Sequence, residues 1–447
     1  MASRRLFLQQ AALGSAGMFA FVPSEVLAEQ RKPVSANDKI RMGVIGCNGM
    51  GWSNMRSHLQ IDEVECVAVC DVDQKVVDKR AANVEKIQGS KPAQYNDYRK
   101  LLKDKDIDAV IIGTPDHWHC KIMVDAVEAG KHVYVEKPLA NSIEECNIMM
   151  AAAKKSGKMV QVGQWQRSGF HYKQAMDYVH SGKLGQIRLV KVWAYQGWMK
   201  PVNVKPDSAP PTGVDYDMWL GPAPKRAFNP NRFHFNFRWY WDYAGGLMTD
   251  WGVHEIDIAL FTMGVSAPKS VMASGGKLAY PNDASETPDT LQTVFEYENF
   301  NMLWEHATGI DGGNYGRTEG IAFIGNNGTL VVNRQGWEVI PETERKSGIV
   351  QYKLEGFPKQ DRPRNADYLA AHTRNFIQSI KANDQSKLNT NIVSGSVAAI
   401  NAHMGNIAYK TGRKIYWDAE NGNFGNDSEA NALINAAYHN GWKLPKI

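Results

Sequence analysis

Lys137 stands where an apolar run gives way to a polar turn, in the segment 131–138 (KHVYVEKP). An ammonium group at the end of a buried strand can bind a substrate hydroxyl and favour the alkoxide that forms as a hydride leaves. A lysine that merely ends a strand in solvent would give the same pattern. We predict Lys137 as a catalytic residue that also borders a cofactor site, together with Glu136.

A second group of polar residues lies in the segment 245–257 (GGLMTDWGVHEID). On a helix with about 100° per residue, Asp250, His254 and Asp257 fall within about 60° of one another and share a face. A histidine titrates near neutrality and can accept a hydroxyl proton while Asp250 orients the substrate or the imidazole. A helix-capping aspartate and a core histidine would explain the same residues. We predict Asp250 and His254 as catalytic and Asp257 as substrate-binding.

Glycines follow the first apolar run of the chain, in the segment 40–51 (IRMGVIGCNGMG). A glycine turn between a strand and a helix lets a dinucleotide pyrophosphate approach the N–H groups at the helix N-terminus. Asn48 replaces the second glycine of the G-x-G-x-x-G fingerprint and Gly49 follows it, so we expect a loop shifted by one residue. An ordinary turn is the alternative. We predict Gly46, Asn48, Gly49 and Gly51 as cofactor-binding residues.

An acidic residue closes the next apolar run. The segment 64–71 (VECVAVCD) ends in Asp71, about twenty residues beyond the glycine turn, where a carboxylate can hydrogen-bond both ribose hydroxyls of a dinucleotide. An acid at this position disfavours a 2′-phosphate. NAD is therefore predicted as the cofactor in preference to NADP, although Asp71 could instead cap the next helix.

A third polar turn is the segment 114–119 (TPDHWH), which follows another apolar run. Ligands bind at the carboxyl edge of open α/β sheets, so we predict cofactor contacts from Thr114, Pro115 and His119. The alternative function of Asp116 is to cap the helix that begins here. Two histidines and an aspartate also suggest a metal, but no further ligands of recognisable spacing accompany them, and no metal site is predicted.

These polar turns alternate with strand and helix patterns across residues 39–162. Such alternation indicates βαβ crossovers and a mainly parallel, doubly wound sheet, as in a Rossmann domain that binds NAD. Strands are predicted at 40–46, 64–70, 107–113, 131–136 and 159–163. Helices are predicted near 50–60, 74–88, 117–129 and 142–155.

The pattern changes in residues 163–447, where short strands follow one another without helices between most of them. Strands are predicted at 187–196, 268–276, 289–296, 301–309, 320–325 and 329–333. Helices are predicted near 169–180, 250–262, 366–382 and 392–410, and a proline-rich loop at 201–211. We expect a C-terminal α+β domain with an open, mainly antiparallel sheet that serves substrate binding and oligomerisation.

Aromatic residues are concentrated just before the predicted catalytic helix, in the segment 228–243 (FNPNRFHFNFRWYWDY). Aromatic rings suit the C–H face of a sugar, and nearby Arg and Asp side chains suit its hydroxyls. Core or subunit packing would use the same residues. We predict a small carbohydrate substrate that contacts residues of this loop and of the domain crossover: Gln164, Arg167, His234, Arg238 and Trp239.

The first 28 residues have the features of a targeting signal. The segment 3–8 (SRRLFL) is a twin-arginine pattern, 11–22 is a short apolar stretch, and 26–28 (VLA) fits a cleavage site. The apolar stretch is short for a bilayer, so no integral span is predicted in the mature protein, a retained anchor being the alternative. Because the twin-arginine route carries folded proteins, we expect a periplasmic or otherwise exported enzyme that binds its cofactor before export. Residues 29–38 are predicted as a linker.

The composition excludes several classes of protein. A chain of 447 residues with 43% hydrophobic residues and a net charge of +4 has enough apolar side chains for two folded units and is unlike a disordered chain. Basic and acidic residues are interleaved, so no nucleic-acid partner is predicted. The five cysteines are odd in number and mostly lie in apolar patterns, which favours buried thiols over disulfides.

Several of these segments together resemble the glucose-fructose oxidoreductase and inositol dehydrogenase family, Gfo/Idh/MocA, over about residues 38–415. The resemblance implies a two-domain oxidoreductase whose open sheet often forms dimer or tetramer contacts. It implies that Lys137 is the catalytic lysine, His254 the general acid-base and Asp250 its partner on the substrate. The export signal resembles that of periplasmic members that keep their cofactor bound. The segments that carry the resemblance are GVIGCNGMG, VAVCD, TPDHWH, YVEKP and GGLMTDWGVHEID.

Three functions agree with these features. The first is NAD-dependent oxidation or reduction of a secondary hydroxyl of a sugar, glycoside or polyol. The second is NAD-dependent glycoside cleavage, in which transient oxidation permits elimination of the glycosidic bond. The chain keeps the E-K-P and D-x-x-x-H elements of the dehydrogenases, which favours the first. The third is a non-catalytic dinucleotide or sugar sensor, which would need neither Lys137 nor His254.

Overall fold

A parallel sheet built from residues 40–162 forms the N-terminal part of the computed structural model, which describes residues 38–447. The predicted targeting signal and nearly all of the predicted linker lie outside the described residues. Six strands follow the order β3-β2-β1-β4-β5-β6. The strands are β1 (Ile40–Ile45), β2 (Val64–Cys70), β3 (Ala93–Tyr95), β4 (Ala109–Ile112), β5 (His132–Val135) and β6 (Val160–Val162).

Helices connect these strands and cover both faces of the sheet. They are α1 (Gly49–His58), α2 (Gln74–Gln88), α3 (Tyr98–Leu102), α4 (Asp116–Glu128) and α5 (Ile143–Ser156). The apolar runs of β1, β4 and β5 are buried on both faces, as parallel strands between helices require. The predicted doubly wound domain is confirmed. Two elements, β3 and α3, were not predicted, and β3 is only three residues long and largely exposed.

A nine-stranded sheet forms most of the C-terminal part, in the order β16-β13-β12-β11-β7-β10-β9-β8-β17. Every neighbouring pair is antiparallel except β7 and β10, which run parallel, so the sheet is mixed and mainly antiparallel, as predicted. The strands are β7 (Ile187–Gln196), β8 (Ser270–Gly276), β9 (Thr290–Glu296), β10 (Asn301–Thr308), β11 (Glu319–Gly325), β12 (Gly328–Asn333), β13 (Gly336–Pro341), β16 (Phe357–Asp361) and β17 (Ile415–Tyr416).

The remaining strands, β14 (Thr343–Lys346) and β15 (Ile349–Tyr352), form a separate hairpin. Helices pack on one face of the large sheet and enclose the largest apolar core of the described residues. The strands from β13 onward were not predicted, because several are short and β14 is polar. The helices of this part are α6 (Phe170–His180), α7 (Tyr216–Leu220), α8 (Gly246–Asp250), α9 (Gly252–Met263), α10 (Tyr368–Ala382), α11 (Ile392–Thr411) and α12 (Ser428–Ala432).

The long segment between β7 and α8 lies against the carboxyl edge of the parallel sheet. Val214 forms a β-bridge with Asp73, and the N–H of Gln74 donates to the carbonyl of Gly213 over 2.9 Å. The C-terminal tail returns to the same edge, where Trp442 packs edge-on against Trp118 with ring centroids 4.8 Å apart. These connections bring C-terminal side chains next to the turns that end β1, β2, β4 and β5.

No helix in residues 38–447 combines the length and apolar character needed to cross a bilayer. In the same residues, no three His, Cys, Asp or Glu side chains come together in a way that suits a metal ion.

Candidate active site

Three glycines allow the turn after β1 to pack tightly against the end of β4. A Cβ atom on Gly46, whose φ is +74°, would lie 2.6 Å from the backbone nitrogen of Thr114. A Cβ on Gly51 would lie 1.9 Å from the carbonyl oxygen of Gly46, and one on Gly113 would lie 2.6 Å from the Cα of Gly51. Gly51 therefore serves the packing of the turn and does not line the cavity described below, where it had been predicted to meet the cofactor.

The same turn presents an open helix N-terminus. Gly49 has a φ of +41°, and apart from its chain neighbours and the backbone of its own helix, no atom of the described residues lies within 4 Å of where its Cβ would be. The Asn48 side chain caps no N–H of α1 and instead accepts a hydrogen bond of 3.2 Å from Arg80 Nη2. Uncapped N–H groups beside open space are what a dinucleotide pyrophosphate requires, so the loop fits NAD despite the missing glycine.

Asp71 marks the ribose end of the proposed cofactor site. Its carboxylate accepts hydrogen bonds from the backbone N–H groups of Cys47, at 3.0 Å, and Asp73, at 3.2 Å. Burial raises the pKa of Asp71 to about 6, and these hydrogen bonds only partly oppose the shift. The carboxylate is fixed against the glycine turn, as expected for a group that binds ribose hydroxyls.

A cavity of about 490 Å³ joins the glycine turn, Asp71 and the predicted catalytic residues. Its walls come from both parts of the chain, and it contains the predicted residues Gly46, Asn48, Gly49, Asp71, Thr114, Pro115, Glu136, Lys137, His234, Arg238 and Asp250.

Two cations hold the carboxylate of Asp250 at the wall of this cavity. Lys137 Nζ donates to Asp250 Oδ1 over 2.9 Å and to its backbone carbonyl over 2.8 Å, and Arg238 Nε donates to the same Oδ1 over 3.1 Å. Burial alone would raise the pKa of Asp250, but the two positive charges outweigh it and lower the pKa to about 2. Asp250 is therefore ionised at neutral pH and fixes the position of Lys137.

Asp116 lines the cavity, although its sequence context had suggested a helix cap or a metal ligand and no contact with cofactor or substrate. It begins α4, is 6% exposed and faces the cavity near Lys137, Arg238 and Asp250. Burial raises its pKa to about 8, against the opposing charges of Arg238 and Lys137. A carboxyl group that is largely protonated at neutral pH can donate a hydrogen bond into the cavity. Its position after β4, at the edge where ligands bind, was the signal that could have identified it.

Glu136 lies beside Lys137 but is directed to a different partner. It accepts a hydrogen bond of 2.7 Å from Asn54 Nδ2, on α1, and burial raises its pKa. The carboxylate thus connects the glycine-loop helix to the end of β5.

His119 does not line the cavity, in contrast to its predicted contact with the cofactor. Its Nδ1 lies 2.8 Å from the carbonyl oxygen of Pro138, and its Nε2 lies 2.9 Å from that of Thr114. The buried ring therefore joins the turns after β4 and β5 from behind and supports the loop that carries Lys137.

Arg167 and Asp257, both predicted to bind substrate, bind each other instead. Arg167 Nη2 and Nε donate to the two carboxylate oxygens of Asp257 over 2.7 and 2.8 Å, and both side chains are buried. The helix is interrupted at Trp251, between α8 and α9, so Asp250 does not lie on one continuous helix with Asp257. The predicted common face is thereby broken, and Asp257 belongs to an internal ion pair.

Trp239 also does not line the cavity; it packs in an aromatic cluster and borders two smaller depressions. Gln164 is 1% exposed and does not line the cavity, and neither atom of its side-chain amide has a hydrogen-bond partner among the described residues. Unpaired buried amides are rare unless a water or ligand completes them.

His254 lies one turn beyond Asp250 but is not part of the cavity wall. Its ring packs against Trp165 and Trp251, with centroids 5.7 and 6.3 Å away, and its Nδ1 has no partner among the described residues. Burial, reinforced by the charges of Lys137 and Arg334, lowers its pKa well below the usual range. The imidazole is therefore neutral at physiological pH and is a weaker base than an exposed histidine.

The fold and the cavity define an oxidoreductase of the dinucleotide-binding class. The family model described as an oxidoreductase family with an NAD-binding Rossmann fold matches residues 40–164, and the model of its C-terminal α/β domain matches residues 179–444. The chain belongs to the Gfo/Idh/MocA oxidoreductase family, as its motifs had indicated, and the predicted cofactor, NAD, agrees with the family's description.

Curated relatives are similar over only part of their length. An α-N-acetylgalactosaminidase from Shewanella oneidensis is 34% identical over 176 residues, which are 38% of this chain and 38% of the relative. A glycosyl hydrolase family 109 protein from Shewanella putrefaciens is 31% identical over 201 residues, which are 41% of this chain and 44% of the relative. The chain thus spans less than half of the length of these relatives.

Solved structures share the fold over most of the chain. A levoglucosan dehydrogenase in complex with NADH and levoglucosan is 19% identical, with a TM-score of 0.65, over 85% of this chain and 99% of that one. An aldose-aldose oxidoreductase from Caulobacter crescentus, complexed with glycerol, is 18% identical, with a TM-score of 0.61, over 85% of this chain and all of that one. At these identities the likeness concerns the fold alone.

Proposed function

We propose that the protein is an NAD-dependent oxidoreductase that transfers a hydride between the nicotinamide and a secondary hydroxyl of a sugar, glycoside or polyol. The observation that carries this proposal is the Lys137–Asp250–Arg238 cluster, which lies in the same cavity as the glycine turn and Asp71. A fixed ammonium group beside a dinucleotide site is suited to alcohol chemistry.

When bound, NAD supplies the hydride acceptor for an alcohol, and the protein supplies the charges and proton acceptors around the reacting carbon. Lys137, held by Asp250, binds the substrate oxygen and stabilises its negative charge as the hydroxyl proton leaves. His254 is neutral and lies behind the cavity wall, so it accepts that proton through a water. Asp116, in its protonated form, donates a hydrogen bond within the same cavity.

The first experiment is mass spectrometry of the purified protein for bound dinucleotide, followed by mixing with glucose, glucosides and inositols. Absorbance of the reduced nicotinamide should rise with one class of sugar. A Lys137→Met variant should keep its NAD and lose the absorbance change. Absence of reduction with every sugar, in protein that is shown to hold NAD, would contradict the proposal.

A second candidate is glycoside cleavage through transient oxidation and elimination. The similarity to an α-N-acetylgalactosaminidase and to glycosyl hydrolase family 109 proteins favours it. Product analysis distinguishes the two functions, because cleavage of a p-nitrophenyl N-acetylgalactosaminide would release nitrophenol while the NAD ends unchanged. Net formation of NADH without nitrophenol would retain the first proposal.

We further propose that the protein forms a homodimer or homotetramer through the free face of the nine-stranded sheet. Leu189 and Met272 on this sheet are 46% and 50% exposed and would be covered by such an interface. Light scattering of the eluted protein should give a dimer or tetramer mass, and a double Leu189→Glu, Met272→Glu variant should reduce it. A monomeric wild-type protein would refute this assignment.

Export of the folded enzyme to the periplasm is a proposal that rests on the sequence of residues 3–8. Replacement of Arg4 and Arg5 by lysine should keep the enzyme and its NAD in the cytoplasm of the producing cell. Fractionation followed by dinucleotide analysis measures this, and export of the double variant at the wild-type level would contradict a twin-arginine signal.

A further inference from the structure

Two large aromatic side chains, Trp198 and Phe235, are exposed side by side at the edge of the catalytic cavity. They are 55% and 51% exposed, and their rings form an edge-to-face pair with centroids 6.1 Å apart. They border a depression of about 250 Å³ that is separate from the main cavity. Adjacent exposed aromatic rings beside a concave surface are a feature of binding sites.

Phe235 connects this depression to the catalytic centre, because it lines both. Arg238 packs its guanidinium 4.4 Å from the Phe235 ring centre and donates to the Phe235 carbonyl over 2.7 Å. The same arginine binds Asp250, which in turn binds Lys137. A ligand bound against Lys137 and extending past Phe235 would therefore reach Trp198.

The backbone before Phe235 is in an unfavourable conformation that fixes the direction of this ring. His234 has a φ of +56°, in the left-handed region that non-glycine residues seldom adopt. Its side chain is anchored to the N-terminal part of the chain, with Nε2 lying 3.1 Å from Asp73 Oδ2. Strained residues held in place by a specific contact are concentrated at functional sites.

The rest of the lining combines the apolar side chains of Met199, Pro201, Val202 and Trp239 with polar ones, and none of these residues is negatively charged. Asn203, Asn231 and Asn236 provide amides, and Lys200 and Lys205 provide ammonium groups. No carboxylate is among the residues that line it, so a cationic ligand would find no counter-ion there. Aromatic rings beside amide donors and acceptors match a saccharide, whose C–H face stacks on a ring while its hydroxyls form hydrogen bonds.

We infer that Trp198 and Phe235 form a second sugar subsite, which binds the ring attached to the one that reacts beside Lys137. This inference rests on the proposed function and narrows its substrate class from a free monosaccharide to a disaccharide or larger glycoside. Trp198 provides a surface on which the sugar ring stacks, and Phe235 lies at the junction between the two subsites. The asparagines form hydrogen bonds with the sugar hydroxyls.

The test compares matched sugars on the NAD-loaded enzyme: glucose with maltose and cellobiose, and N-acetylglucosamine with N,N′-diacetylchitobiose. Calorimetry or saturation-transfer NMR gives binding, and nicotinamide absorbance gives turnover. We expect at least one disaccharide to bind about tenfold more tightly than its monosaccharide, which is about 1.4 kcal/mol. Trp198→Ala should remove this advantage and leave monosaccharide binding unchanged, whereas Trp198→Phe should keep most of it.

Tyr352→Ala, on the exposed β14–β15 hairpin, is the matched control and should change the affinity for neither the monosaccharide nor the disaccharide. The subsite is overturned if the wild type binds monosaccharide and disaccharide equally, or if Trp198→Ala keeps the preference for the disaccharide. In either case, turnover still tests the proposed function. Disaccharide binding that depends on Trp198 without any nicotinamide reduction supports the subsite and contradicts the proposed function. A Trp198→Ala variant whose oligomeric mass changes while its sugar affinities do not would identify an interface instead and overturn the subsite.

Discussion

The two walls of the cavity are built in different ways, one by backbone geometry and the other by paired charged side chains. One wall is shaped by the backbone. Gly46, Gly49 and Gly51 allow the turn after β1, and the uncapped start of α1 faces the cavity. The other wall is charged: Lys137, at the end of β5, is held by Asp250, which comes from the C-terminal part of the chain and is also bound by Arg238. Backbone geometry suits a cofactor that is always the same, and side-chain clusters suit a substrate that varies within a family.

The largest expected effect is the loss of the lysine from the charged wall. Lys137→Met should lower kcat/KM by about 10²–10⁴-fold, the usual contribution of a positioned group in proton transfer, with little change in NAD affinity. Steady-state kinetics and calorimetric titration with NAD measure the two quantities. Lys173→Met, on the exposed surface of α6, is the control and should change neither. A comparable loss of NAD affinity would show that the two walls are not separate in function.

The second prediction concerns the buried pair behind the charged wall. Arg167→Met leaves the Asp257 carboxylate without its partner and should lower the free energy of unfolding by about 3–5 kcal/mol. The double variant Arg167→Met, Asp257→Leu should recover much of that loss, because no buried charge remains. Urea denaturation measures both. If Arg167 contacts the substrate instead, the single variant will raise KM while its unfolding curve stays unchanged.

The third prediction tests the backbone-shaped wall. Asp71→Ala removes the acceptor for the ribose hydroxyls and should weaken NAD binding by about 10–100-fold, as expected for hydrogen bonds to a charged group of 1.5–3 kcal/mol. The turnover number at saturating NAD should change much less. Asp78→Ala, exposed on α2, serves as the control. Unchanged NAD affinity would mean that Asp71 does not bind the ribose and only accepts hydrogen bonds from the N–H groups of Cys47 and Asp73.

The same division explains what the sequence could predict. The glycine turn and Asp71 lie within 26 residues of each other, on adjacent elements, so their spacing carries the prediction of a Rossmann cofactor site. Lys137 and Asp250 are 113 residues apart, and Arg167 and Asp257 are 90 apart. Periodicity placed Asp250, His254 and Asp257 on one helix face but could not show that the helix is interrupted at Trp251 or that Asp257 pairs with Arg167. The burial that raises the pKa of Asp116 likewise arises only when the C-terminal segment covers the sheet edge.

The smallest effect is a change in the pH dependence of kcat/KM, and it concerns Asp116, a carboxyl group that lines the cavity. Asp116 has a raised pKa of about 8, so it is protonated below that pH and ionises above it. If its proton donates a hydrogen bond to the substrate, kcat/KM should fall by about tenfold between pH 7 and pH 9, at the usual slope for one ionisation. Asp116→Asn keeps a neutral donor and should flatten this part of the profile.

A matched control exists for this measurement, because burial also raises the pKa of Glu255 to about 8, but Glu255 accepts hydrogen bonds from Gln166 and does not line the cavity. Glu255→Gln should therefore leave the profile of kcat/KM unchanged. The contribution of Asp116 to stability has a defined sign as well: because its pKa is higher in the folded state than in the unfolded state, that contribution is most favourable below pH 4 and is lost as the pH rises toward 8. Asp116→Asn should remove this loss, so its stability relative to the wild type should increase between pH 5 and pH 8. A variant that flattens the stability curve but not the activity curve would place Asp116 in the fold and outside the reaction.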